Sequence, residues 1–242
     1  MKMTVIGCYG AYPNAGGATS GYLVEEGDTK ILLDCGSGVL AKLQEYIPLS
    51  ELDAVIITHY HPDHYADLGC LQYAAMVESQ LGKRTKPLTA WGPARAEKLS
   101  YGGYCRGQIY TPETDFQIGG LSFSVLENQH EICCFAVRVA AAEGKTLVYS
   151  GDTAYYAALA QFAQNTDCFL CEASFYSAEA NRPLPQHLTA GEAASLARLA
   201  GAKRLVLTHL PHFGQPQQLA EKAKEIYSGQ VFLAQSGLQL AL

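Results

Sequence analysis

Three histidines and a carboxylate are crowded into seven consecutive residues, Thr58-His59-Tyr60-His61-Pro62-Asp63-His64. Neutral imidazole nitrogens and carboxylate oxygens are the donors that a borderline-soft divalent ion such as zinc accepts, and a hydrolytic ion also needs a position open to water. Histidine is an ordinary surface residue in many loops. Here, however, three of the chain's seven histidines fall within six positions, which points to a metal site. Three more donors stand at similar places. His130 follows an alternating apolar and polar run at residues 121–126 and precedes the apolar Cys133-Cys134-Phe135-Ala136-Val137. Asp152 ends Thr146-Leu147-Val148-Tyr149-Ser150-Gly151-Asp152, where Gly151 lets the backbone turn and the carboxylate can offer one oxygen to each of two ions. His209 ends Arg204-Leu205-Val206-Leu207-Thr208, repeating the Thr-His junction of Thr58-His59.

The elements that must position these donors are mostly strands. Ala54-Val55-Ile56-Ile57, directly before the histidine cluster, reads as a buried strand by length and β-branched content. Residues 3–8 read as a first strand, followed by a loop rich in turn formers at residues 9–18 that could lie beside the site. Tyr22-Leu23-Val24 and Lys30-Ile31-Leu32-Leu33 flank Gly27-Asp28 as a hairpin. Asp34-Cys35-Gly36-Ser37-Gly38 then opens a helix with Val39, Leu40, Leu43 and Ile47 on its apolar face, and Asp34 suits a helix N-cap. Helical spacing covers residues 66–81 and 94–99 with a short strand at 87–91 between them, and a hairpin turns at Gly119-Gly120. Thr189 with Glu192 three residues on is a capping box for a helix over residues 189–199. His187 stands just before that cap, where an imidazole and helix N-terminal N–H groups could share an anionic oxygen. An amphipathic helix over residues 216–226 and a strand over 231–234 that closes the sheet complete the pattern.

The H-x-H-x-D-H cluster, the strand-strand-D-x-G opening before it and the later Gly151-Asp152 together resemble the metallo-β-lactamase superfamily of metallo-hydrolases. The resemblance implies an α/β fold, an αβ/βα four-layer sandwich of two mixed sheets with helices on the outer faces, as one domain over residues 1–242. It implies a dinuclear site: His59, His61, His130 and Asp152 around one ion, and Asp63, His64, Asp152 and His209 around the other. Asp34 matches the position that supports the metal loop from behind. Two divalent ions are expected, zinc by ligand type, with manganese or iron as other occupants. Their shared hydroxide would be the nucleophile of a hydrolase, with Asp63 orienting or deprotonating the water. True lactamases of the superfamily more often carry cysteine at the Asp152 position. The run His187-Leu188-Thr189-Ala190 with downstream Glu192 resembles the ribonuclease Z-like, tRNA 3′-processing branch, where this histidine acts on the phosphodiester and binds no metal. That branch carries a long tRNA-binding arm between the positions of His130 and Asp152. Here only 22 positions separate them, already filled by two strands and a turn at Glu143-Gly144.

Composition narrows the substrate further. A net charge of -6 and a pI of about 5.6 argue against a broad nucleic-acid footprint. The expected substrate is a small phosphodiester, cyclic nucleotide or nucleic acid end, and full tRNA is disfavoured. A lactone, thioester or β-lactam hydrolase is the competing enzyme reading, and a non-catalytic metal or ligand-binding module the competing class. Hydrophobic residues make up 48% of the 242, enough for a substantial core. The first residues resemble neither a secretory signal nor a membrane span, so a cytoplasmic protein is expected, with a homodimer allowed. The eight cysteines then read as reduced thiols, and Cys168-Phe169-Leu170-Cys171 as strand packing rather than a zinc or redox motif. His212 has no assigned role beyond the rim.

Overall fold

The computed structural model describes residues 1–176 and 186–242; Pro183 and Pro185, which mark a loop in the sequence after residue 175, lie outside them. In chain order, β1 (Lys2–Gly7), β2 (Gly21–Glu26), β3 (Thr29–Leu33), β4 (Ala54–Ile56), β5 (Leu88–Pro93) and β6 (Cys105–Tyr110) lie side by side in one sheet. A second sheet takes β7 (Phe116–Ile118), β8 (Leu121–Glu127), β9 (Phe135–Ala141), β10 (Thr146–Tyr149), β11 (Cys168–Glu172), β12 (Arg204–Thr208) and β13 (Gln230–Leu233). The last strand, β14 (Gln239–Ala241), returns to pair antiparallel with β1. Both sheets are mixed. In the first, β1 to β3 are antiparallel and β3 to β6 parallel; in the second, β7 to β10 are antiparallel and β10 to β13 parallel.

Strand alternation explains the layering. Met3, Val5, Tyr22, Val24, Ile31, Leu33, Ala54 and Ile56 share one core with Phe123, Val125, Val137 and Tyr149 of the second sheet. Ile6, Leu23, Leu32 and Val55, pointing the other way, pack with Val39 and Leu43 of α1 (Val39–Leu43) and with Leu68, Leu71 and Ala75 further along. Residues buried on both faces in this way read as near-continuous apolar runs, which is why these strands are legible in the sequence. The remaining helices are α2 (Pro62–Tyr65), α3 (Leu68–Gln80), α4 (Ala96–Leu99), α5 (Ala157–Phe162), α6 (Ala190–Ala200) and α7 (Pro216–Ile226). Of these, α6 packs on β11 and β12, and α7 on α6 and β13. The structure therefore has the two mixed sheets with outer helices that the resemblance implies.

Several details differ from the sequence reading. The helix expected over residues 66–81 is preceded by a separate turn of helix, α2, and Asp67 between them accepts from the backbone N–H of Leu40 at 3.0 Å while its own N–H donates to Cys35 at 3.0 Å. The helix expected from residue 94 begins at Ala96, because Ala94 and Arg95 hold positive φ of 48° and 52°. Asp34 is no N-cap: Gly38 holds that position of α1 without a side-chain cap, and Asp34 itself sits at φ 58°, facing the site. Strands β6 and β14 and helix α5 lie in segments given no element. Edge strands such as β6 and β14 pair through backbone groups and carry little side-chain pattern. The first sheet is consequently closed by β14, and the strand over 231–234 closes only the second.

Candidate metal centre

Donors from both sheets meet where the strands end. The loop after β4 brings His59, His61, Asp63 and His64, the last two on the single turn of α2. Pro62 at N1 suits the start of that turn, since its missing N–H would be unpaired there anyway. The loop after β8 brings His130, the end of β10 Asp152, and the end of β12 His209. Gly151 has φ 57°, and a Cβ there would meet the carbonyl oxygen of Phe135 at 2.8 Å, so the bend that presents Asp152 needs glycine twice over. His209 itself adopts φ 53°, a left-handed conformation uncommon outside glycine, in which histidine is several-fold enriched among other residues.

Two clusters result. His59 Nε2 lies 3.1 Å from His61 Nδ1, which lies 3.2 Å from His130 Nε2, with Asp152 Oδ2 3.8 Å from His59 Nε2. His209 Nε2 lies 3.0 Å from Asp63 Oδ2 and 3.2 Å from Asp152 Oδ2, while His64 Nε2 is 3.5 Å from Asp63 Oδ2 and 3.3 Å from Asp152 Oδ1. Both sets have donor atoms close enough together to hold an ion, with Asp152 common to the two. A tetrahedral ion with bonds of about 2.0–2.1 Å spaces its ligands roughly 3.3 Å apart, which matches the nitrogen separations in the first cluster. His64 Nε2 and Asp152 Oδ1 are buried and have no hydrogen-bond partner among the described residues. Unsatisfied buried polar atoms are costly, and a cation between these two would satisfy both. The donor set fits two divalent ions.

A layer of polar groups behind the donors fixes their orientation. Asp34, fully buried, accepts from the backbone N–H of Thr58 at 2.7 Å, from His64 Nδ1 at 2.7 Å and from the hydroxyl of Tyr149 at 2.8 Å. His64 therefore turns Nε2 to the cluster. His59 Nδ1 lies 3.1 Å from the hydroxyl of Thr58, which donates to Asp34, and His61 Nε2 lies 3.1 Å from Glu131. On the other side, Ser174 donates to Glu172 at 2.7 Å and meets His209 Nδ1 at 2.7 Å. The same Glu172 oxygen lies 3.1 Å from His187 Nδ1, and its other oxygen accepts from the backbone N–H of Thr153. Such outer partners set tautomer and ring direction.

The electrostatics follow from burial against charge. Burial holds His59 well below the usual imidazole range and lowers His130. Burial also opposes protonation of His64, His209 and His187, but carboxylates outweigh it. Asp152, Asp34 and Asp63 raise His64, Asp152 and Asp63 raise His209, and Glu172 with Asp152 raises His187 to about 9. Burial alone would raise Asp63 and Asp152, yet the neighbouring imidazoles bring both down. The cluster holds its carboxylates ionised and calls for positive charge beside them.

Every histidine and aspartate singled out in the sequence lies at this centre or on its border. His187 is not in either four-donor cluster, although it forms a third potential group with Glu172 and His209. Three of the N–H groups at the start of α6 are paired within the fold. Thr189 N–H donates to Glu192, Glu192 N–H to Thr189 Oγ1, and Ala190 N–H to the carbonyl of Phe175. The glycine-rich loop does border the site, with Ala11 N–H donating to Asp63 Oδ2 at 2.8 Å. All eight cysteines are free, and Cys168 and Cys171 are buried in β11 with thiols pushed up by burial, as the packing reading requires. Glu172, Ser174 and Tyr149 went unnoticed in the sequence. A single Glu or Tyr at a strand end carries no local signal; only the packing of β10 and β11 against the donors reveals them.

Comparison with known proteins agrees with this geometry. The family model described as "Beta-lactamase superfamily domain" matches residues 29–210. The chain is 41% identical to a probable metallo-hydrolase of Bacillus subtilis, YhfI, over 98% of either chain. The crystal structure of that metallo-β-lactamase fold protein superposes with a TM-score of 0.95, covering 99% of this chain and 98% of the other. A ribonuclease Z of Myxococcus xanthus is 28% identical over 100% of this chain and 98% of its own. The short form of human tRNase Z has the same fold at 21% identity, with a TM-score of 0.78 over 100% of this chain and 99% of that one.

Proposed function

This chain belongs to the metallo-β-lactamase superfamily of metallo-hydrolases, and from that premise we propose that it is a binuclear phosphodiesterase whose residues 1–242 work as one hydrolase domain. His59, His61 and His130 would hold one divalent ion, Asp63, His64 and His209 the other, and Asp152 would serve both, with zinc the first choice by donor type and manganese or iron the others. Bound there, the ions would supply positive charge to phosphate oxygens and an acidified water. The chain's own groups do the rest. Asp63, held by the N–H of Ala11, would orient or deprotonate the attacking water. His187, held through Nδ1 by buried Glu172, stabilises the charge developing on the leaving oxygen or protonates it.

The observation that carries the phosphodiester reading is this Glu172–His187 pair, at the edge of the donor cluster yet outside both four-donor sets. The ribonuclease Z relative supports it. The interval from His130 to Asp152 is occupied by β9 and β10, which fits a small diester, cyclic nucleotide or nucleic acid end better than a whole tRNA. No helix among the described residues is long and apolar enough to cross a membrane, and eight free thiols fit a reducing, cytoplasmic setting. A homodimer is compatible with this reading.

Metal content per chain, measured with hydrolysis of bis(p-nitrophenyl) phosphate, tests the proposal. About two ions are expected in both wild type and His187→Ala, with turnover about 10²–10⁴-fold lower in the variant. Loss of metal in His187→Ala would remove its assigned role. Two ions without diester hydrolysis would favour the second reading, a lactone or thioester hydrolase, for which the apolar walls at Phe175, Leu210 and Phe213 give independent support.

A further inference from the structure

The metal centre opens into a cavity of about 590 Å³, a size ordinary for a small-molecule site and ample for a nucleotide. One side of it is metal donors; the other is aromatic. Tyr12 and His212 stack face to face, with ring centroids 3.7 Å apart and planes 5° from parallel, and Tyr9 continues the stack at 5.5 Å from His212. Phe213 adds another aromatic ring to the lining and packs 5.7 Å from Tyr176 and 6.4 Å from Phe175. Tyr12 and Phe213 line the cavity while remaining 58% and 56% exposed, an unusual placement for two large rings beside a metal centre.

The stack is built, and it is tied to the donors. His212 uses both ring nitrogens, Nδ1 with Asn14 Oδ1 at 2.9 Å and Nε2 with the carbonyl of Gly10 at 3.0 Å. Gly10 lies so close to His209 that a Cβ would meet its ring at 2.6 Å, and Ala11 is held by Asp63. The loop carrying Tyr12 is thus pinned on one side to two donors and on the other to His212. Phe213 is anchored by its carbonyl, which accepts from the Tyr176 hydroxyl at 2.7 Å. Exposed rings anchored beside the donor cluster are what a flat, π-faced group on the substrate would use.

We propose that Tyr12, backed by His212, and Phe213 form a stacking subsite for the nucleobase of a nucleotide substrate, and that they set the preference for nucleotides over other phosphodiesters. The proposal rests on the phosphodiester reading and narrows it. Stacking accepts any base because every base has a π-face, so the subsite selects for a base without strongly selecting which.

The test compares binding of adenosine 5′-monophosphate and ribose 5-phosphate to the metal-replete protein by titration calorimetry, in wild type, Tyr12→Ala, Phe213→Ala and the double variant. Metal content and melting temperature, read alongside, check that each variant is intact. Wild type should bind the nucleotide about tenfold or more tightly than the sugar phosphate, and the double variant should lose that advantage, with Tyr12→Phe and Phe213→Tyr keeping it. Fluorescence of 2-aminopurine riboside 5′-monophosphate should be quenched on binding wild type and restored in the double variant. Equal affinity for the two phosphates in wild type, or an advantage that survives both truncations, would overturn the subsite. Failure of the phosphodiester reading would look different: the base advantage and its dependence on these rings would persist while bis(p-nitrophenyl) phosphate is not hydrolysed.

Discussion

Two buried carboxylates outside both four-donor sets organise the donors. Asp34 accepts from Thr58, His64 and Tyr149, and Glu172 from Thr153 and Ser174 while holding His187. Asp34 directs His64 by accepting from its Nδ1, and Glu172 holds His187 through Nδ1. Removing such a partner commonly costs 10- to 100-fold in metal affinity. Asp34→Ala is therefore expected to weaken binding of the ion at His64 by about that factor, measured by competition with a chromophoric chelator, while His59 keeps a partner in Thr58. Unchanged affinity would mean that His64 is oriented by packing alone. The histidine cluster was legible because its donors are neighbours in the chain, whereas Glu172 and His187 meet across 15 positions.

Among the elements, β10 and β11 carry most of the positioning, and Asp167 clamps the entry to both. Its carboxylate accepts from the N–H of Thr146 at 2.9 Å and pairs with Lys203 at 2.8 Å. Lys203 is largely exposed, so the ion pair contributes little, and the hydrogen bond at the start of β10 matters more. Burial alone would raise the Asp167 carboxyl, but Lys203 and the Thr146 N–H bring it below its ordinary value. A depressed carboxylate stabilises the fold above the unfolded value near 3.9 and loses that contribution as pH falls through the folded value. Asp167→Ala is expected to lower stability at neutral pH by about 1–2 kcal/mol and to flatten the acid limb, read from urea midpoints between pH 3 and 7. At the other end of the site, Thr189→Ala removes the capping box of α6 and should cost about 1 kcal/mol by the same measurement.

Taken whole, the molecule puts its metal donors on loops from two sheets, so ions bound there would tie the sheets together across their common edge. An ion that binds only the folded state at 100 times its dissociation constant adds about 2.7 kcal/mol, and for a chain of this size each kcal/mol is worth about 2–4 °C. Chelation should thus lower the melting temperature by roughly 5–10 °C per ion lost, and added zinc or manganese should restore it. A melting curve indifferent to both would argue that the donors bind no ion in solution. The two sheets also meet through a shared core away from the donors: Tyr22 meets Tyr149 at 4.8 Å and Tyr110 meets Phe135 at 5.2 Å across the two layers.

Sequence alone determined the metallo-hydrolase family and the class of fold. Metal-ligand residue types at strand ends, and apolar runs long enough to be buried on both faces, are local features that chain neighbours express directly. It did not determine that Asp34 faces His64 instead of capping α1, or that the first amide of α6, at Ala190, pairs with the carbonyl of Phe175. Nor could it bring Tyr12 against His212, 200 positions away, or show Phe213 on the same cavity. Those outcomes depend on which loops the two sheets bring together at one edge, and that is decided by packing between residues distant in the chain.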